Sequence, residues 1–167
     1  MRVIIIAAAA ALVAGCGNSG NEKADAQPTE TAAALQPGEY ALTWSAIENG
    51  PAAKGGATAA KALSSADFPD KACIAADGSI DPAAFGNKAD QCHTVNSYVR
   101  EGTVNVQVGC VREGKGEVSQ IASGSFTDAE SFDAKIDTST SFTGGGDYSM
   151  IRQLNAKRVG QCAAKQS

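Results

Sequence analysis

Aromatic residues make up only 5% of the 167-residue chain, and tryptophan occurs once. A thin core is therefore expected, built from Val, Ile, Leu and Ala. Basic residues are outnumbered, 14 Lys and Arg against 18 Asp and Glu. That balance lacks the cationic stripe that displaces counterions from a nucleic acid, so no nucleic-acid partner is expected. Histidine also occurs once, so an imidazole general base could only be His93. No apolar run is long enough to cross a bilayer. The run Val3 to Ala14 has twelve residues, which reach roughly 18 Å as a helix against a hydrocarbon core of about 30 Å.

The motifs of common enzyme classes are missing as well. The cysteines are spaced 19, 18 and 52 residues apart from Cys73 onward, with no C-x-x-C pair, although His93 adjoins Cys92. Metal binding is not expected from that spacing. Ser64-Ser65 and Gly124-Ser125 lack the G-x-S-x-G elbow of hydrolases. Gly144-Gly145-Gly146 has no Lys-Ser/Thr after it and reads as a hairpin loop rather than a phosphate cradle. Asp128, Glu130, Asp133 and Asp137 lack the glycine and the spacing of a calcium loop, so Asp133 and Asp137 read as the solvated face of a strand. His93 has no serine or carboxylate that the sequence places beside it. The expectation is a protein that is not an enzyme and carries no cofactor and no metal.

What is present begins at the amino terminus. Arg2, the apolar run Val3 to Ala14, and then Leu12-Val13-Ala14-Gly15-Cys16 follow the order of a secretory signal: charge, short apolar core, small residues at a processing site. Ending on cysteine, it resembles the lipobox of bacterial lipoproteins. The resemblance implies cleavage before Cys16, a diacylglycerol thioether on its sulfur and an acylated amino group. Gly17 rather than aspartate follows the cysteine, which by resemblance to the enteric sorting rule implies the periplasmic side of the outer membrane. Cleavage leaves 152 residues and, with Arg2 gone, moves the formal charge from −4 to −5. One domain fits that length. Residues 16–36 are polar and without apolar period, and read as the lipidated cysteine and a flexible tether. Pro37-Gly38 marks the start of a domain spanning residues 37–163.

Five cysteines are odd for an exported protein until Cys16 is assigned to lipid. Cys73, Cys92, Cys110 and Cys162 are then an even set in an oxidising compartment, which reads as two disulfides stapling a thin core. The pattern between them is one of strands. Tyr40, Leu42, Trp44 and Ala46 share one face, opposite Glu39, Thr43 and Ser45. Residues 48–66 read as an irregular loop with at most a short helix near Ala59 to Leu63. Lys71 to Ile74 is a short strand. Asp81-Pro82-Ala83-Ala84-Phe85-Gly86 is a compact helix, with Asp81 as cap, Pro82 in the first position and Gly86 as the stop. Cys92 to Arg100 and Thr103 to Val111 flank the turn Glu101-Gly102. A two-residue turn sets Arg100 against Thr103, and a one-residue bulge would then bring Cys92 opposite Cys110. Glu113 to Gly116 is another turn, and Val118 to Phe126 and Ser131 to Ser139 are further strands. Tyr148 to Leu154 and then Ala156 to Cys162 close the chain. The fold expected is all-β with minor α: an antiparallel meander curled into a sandwich or partly open barrel, with one short helix near 81–86 and two disulfides.

The Pro-Gly-Glu-Tyr opening strand with Trp44, Cys73-Ile74, the cysteines of a hairpin at Cys92 and Cys110, and the terminal Arg158-Val159-Gly160-Gln161-Cys162 form a recognisable order. It resembles the small exported proteobacterial proteins of domain-of-unknown-function family 3617, many of them lipoproteins, over roughly residues 37–163. The chain departs from that pattern in the Ala/Gly-rich insert between Gly50 and Ser65. The resemblance implies the β fold and the envelope compartment, and pairs Cys92 with Cys110 and Cys73 with Cys162; four cysteines by themselves allow three pairings. It implies no chemistry. Two functions are therefore expected in order: an anchored, non-enzymatic domain that contacts an envelope partner, or a lipocalin-like carrier or sensor of a small apolar ligand. Tyr40 and Trp44 are the candidate ligand-facing residues, and a cavity bounded by them with Val106 and Phe132 would favour the carrier.

Overall fold

The computed structural model describes residues 32–49, 64–144 and 146–163. Cys16, the signal segment and the helix suggested near Ala59 to Leu63 lie outside them. Seven strands follow one another: β1 Gly38–Asn49, β2 Lys71–Ile74, β3 Asp90–Arg100, β4 Thr103–Arg112, β5 Gly116–Ser125, β6 Ser131–Phe142 and β7 Ser149–Gly160. They form one sheet in the order β2-β1-β7-β6-β5-β4-β3, every pair antiparallel. The sheet curls into a half-barrel. β4 to β7 alternate strictly between buried and exposed residues, because one side faces an interior and the other water.

The hairpin between β3 and β4 has the anticipated register. Arg100 pairs with Thr103, Cys92 pairs with Cys110, and the ladder slips once between Thr94 and Asn96, leaving Val95 as the extra residue. Glu101 and Gly102 both take positive φ, 53° and 76°. That is the backbone of a two-residue turn whose twist matches the strands it joins. The last strand differs from the expectation of two pieces. β7 runs unbroken from Ser149 to Gly160, since Leu154 and Ala156 stay inward on either side of the exposed Asn155.

The segment 81–86 forms a single 3-10 turn, Pro82–Ala84, rather than a longer helix. Asp81 caps it, its carboxylate accepting from the Ala83 amide at 3.0 Å. This turn packs against both β2 and β3, the two edges of the sheet, and drives the fully buried Phe85 into the gap between them. Gly86 follows because the Cys92–Cys110 bridge lies against it: a Cβ there would stand 2.5 Å from the Cys92 sulfur. Losing the cap should loosen this plug. Asp81→Ala is expected to cost about 1 kcal/mol, read as a lower urea midpoint at unchanged slope.

Residues 32–36, which the sequence assigns to the tether, pack against the domain. Leu35 is buried in the main apolar cluster and Ala32 packs against it. The Ala32 and Gln36 amides donate to Thr127 O and Ala129 O, at 3.2 and 2.7 Å, and the Glu101 amide donates to Ala33 O at 2.8 Å. A lone leucine in a polar stretch has no period to reveal it.

Candidate functional site

Both disulfides form, Cys73 with Cys162 and Cys92 with Cys110, with Cα separations of 5.6 and 4.0 Å. The first spans the start of β1. Glu39 pairs with Cys73 on one side and Gly160 on the other, and two residues past Gly160 the chain bends back to reach Cys73. The second bolts the edge strand β3 to β4 beside the Phe85 plug.

The two aromatic residues singled out in the sequence part company. Tyr40 has no exposed surface, and its hydroxyl donates to Gln36 O and Ala129 O at 2.8 and 3.0 Å. Burial raises its pKa, with Arg158 opposing and Glu130 and Asp128 adding to the rise. Tyr40, Val106 and Phe132 are members of one continuous apolar cluster. Trp44 packs at the side of that cluster, its Nε1 donating to Pro69 O at 2.7 Å.

His93 lies exposed on the outer face of the sheet, at a hollow of about 240 Å³ that Glu117, Ser119, Val95 and Val111 also line. The sheet thus brings a serine and a carboxylate to the histidine that the sequence left alone. Gly109 separates them: it pairs with His93 on one side and Ser119 on the other, and a Cβ on it would stand 2.9 Å from the imidazole. No hydrogen bond joins the three among the described residues. Asp137 is ion-paired to Lys135 at 3.1 Å on the exposed face and Asp133 is exposed, as a solvated strand requires. Among the described residues no three His, Cys, Asp or Glu side chains stand together as metal ligands.

The most unusual chemistry is at a residue that the sequence reading passed over. Arg152 sits at an inward position of β7 and is completely buried. Its Nη2 donates to Phe85 O at 2.7 Å, to Thr138 Oγ1 at 3.2 Å and, closest of all, to Gln120 Oε1. Gln120 and Thr138 are themselves buried, at inward positions of β5 and β6, and face each other in the ladder. The guanidinium carbon lies 4.1 Å from the Phe68 ring centroid and 4.7 Å from that of Trp44. Those rings are only 5.3 Å apart, so they flank the cation from neighbouring directions and leave the rest of it uncovered by them. Among the described residues Nε and Nη1 have no hydrogen-bond partner.

A second arginine shows what is missing. Arg112, on β4, is held by the Asp90 carboxylate through Nε at 2.7 Å and Nη2 at 2.9 Å, and it donates from Nη1 to the Tyr148 hydroxyl at 3.1 Å. The bond to Asp90 raises its pKa. Arg152 has no such carboxylate. Burial pushes its pKa down to about 10, opposed by the fields of Tyr148 and of Asp90, whose oxygens are already taken. The fall to about 10 from the ordinary arginine value corresponds to a penalty of roughly 3 kcal/mol at neutral pH. The sign is that of a cation whose folded pKa is depressed: the penalty is fully present below pH 10 and is relieved only as the pH climbs from there.

The family model described as "Protein of unknown function (DUF3617)" matches residues 35–162. The chain belongs to that family. The DUF3617 match starts at the buried Leu35 and ends at Cys162, the last disulfide cysteine. Comparison with curated proteins and with solved structures gives no match.

Proposed function

We propose that this DUF3617 protein is a bacterial envelope lipoprotein, acylated on Cys16 and held on the periplasmic side of the outer membrane. In this reading the β-domain is not an enzyme and acts by contact with an envelope partner. The observation that carries it is the pair of disulfides in a domain that follows a lipobox-like segment. Structural disulfides persist in exported proteins and are rare where glutathione keeps thiols reduced. The continuous cluster around Tyr40, Val106 and Phe132 supports a filled core at those residues, which leaves that part of the interior without room for a carrier's ligand.

Growth on labelled palmitate tests the anchor. The protein is expected to take up label and to fractionate with membranes, and Cys16→Ser should lose the label. An unlabelled wild-type protein recovered from the soluble fraction would overturn the reading.

A further inference from the structure

Arg152 carries a positive charge with no exposed surface and, among the described residues, no paired carboxylate and no acceptor for two of its nitrogens. A buried cation of this kind is expensive unless an anion completes it. Residues 50–63, which join the strand of Trp44 to the turn before Phe68, contain two lysines and no acid. The surroundings specify the missing group. A single guanidinium calls for a single negative charge, which suits a carboxylate better than a phosphate dianion. Trp44 and Phe68 flank the guanidinium and Met150 is the neighbouring inward residue of β7; Phe68 and Met150 are buried without joining the main apolar cluster. That calls for an organic body on the anion.

We propose that Arg152 is the anchor of a binding site for a small organic carboxylate, whose oxygens accept from the donors left free at Nη1 and Nε. Gln120, Thr138 and the Phe85 carbonyl hold Nη2 and so fix the orientation of the guanidinium. Because Nε and Nη1 are fully buried, a ligand reaches them only if the half-buried Trp44 side of the group opens. This site is independent of the lipid anchor and of any outer-surface partner.

Trp44 is the only tryptophan, so its fluorescence reports the site directly. The full-length protein in a non-ionic detergent would be titrated with hexanoate and benzoate, and in parallel with hexanol, benzyl alcohol, acetate and chloride at constant ionic strength. Hexanoate or benzoate should change the Trp44 emission saturably and raise the unfolding temperature. Each should bind at least about tenfold more tightly than its alcohol, since the carboxylate gains charge-assisted hydrogen bonds. Arg152→Gln should abolish that preference. Should this variant not fold, the acid-to-alcohol ratio on the wild-type protein decides alone. Equal binding of alcohols and acids, equal effects of chloride and hexanoate (an adventitious ion only), or no saturable change with either acid would each overturn the proposal.

Discussion

Cys73→Ser is expected to lower the unfolding temperature by about 10–20 °C, and Cys73→Ser/Cys162→Ser by no more than that. The bond closes a loop with a sequence separation of 89, for which the chain-entropy model gives about 4.5 kcal/mol. A domain of this size has about 5–15 kcal/mol to lose, and each kcal/mol moves the midpoint by several degrees, roughly 3–5 °C at this length. The site magnifies the loss. β2 is four residues long and is an edge strand whose only ladder partner is β1. Without the bridge, β2 is held to the sheet by a four-residue ladder, the Lys71–Glu39 ion pair and the burial of Ala72 and Ile74. Because both substitutions break the same bond, the single and double variants coincide in calorimetry. A double variant showing the sum of the two single losses would contradict this. The shorter bridge, with a separation of 18, is worth about 3 kcal/mol by the same model.

Gly124→Ala is expected to cost more than about 3 kcal/mol, although it adds one methyl group. Gly124 lies in β5 directly opposite Ala134 of β6. A Cβ there would overlap the Asp133 carbonyl oxygen and stand 2.7 Å from Ala134 Cα. Both obstacles are backbone, so no side-chain rotation relieves them, and the strands have to separate where the sheet curls. This is the use of glycine within a strand: close approach of another backbone. Gly160→Ala is the control, with nothing within 4 Å of its Cβ and no positive φ, and should change stability by less than about 0.5 kcal/mol. Equal denaturant midpoints for the two variants would refute the argument.

Much of the sheet was legible because one side of it is buried. Period two at Val104, Val106 and Val108 marked β4, the glycine of the 101–102 turn set the hairpin register, and together they put Cys92 opposite Cys110 once a bulge was allowed. The Asp-Pro pair announced the capped turn at Pro82, but not that it would stop after three residues, which the wedge of Phe85 between the sheet edges decides. Leu35 was illegible, since its burial depends on the hairpin turn and on the chain after β5, both remote in sequence. The nearness of Ser119 and Glu117 to His93 was illegible too, because it needs the register of three strands at once.

Arg152 is different, for its signal was in the pattern. In Met150, Arg152, Leu154 and Ala156 the charged residue takes an inward place, as Gln120 does between Val118 and Ala122, and as Thr138 does after Ile136. One polar residue at an inward position reads as an irregularity. Three of them on consecutive strands make a buried polar belt, and their coincidence emerges only when the register lines the strands up.

The most direct test of the account is the intact mass of the protein extracted from bacterial membranes, taken before and after reduction. The account predicts a chain beginning at Cys16 and carrying acyl groups, with a mass that rises by about 4 Da on reduction as two disulfides each take up two hydrogens. A chain that still begins at Met1, or one whose mass does not change on reduction, would contradict it.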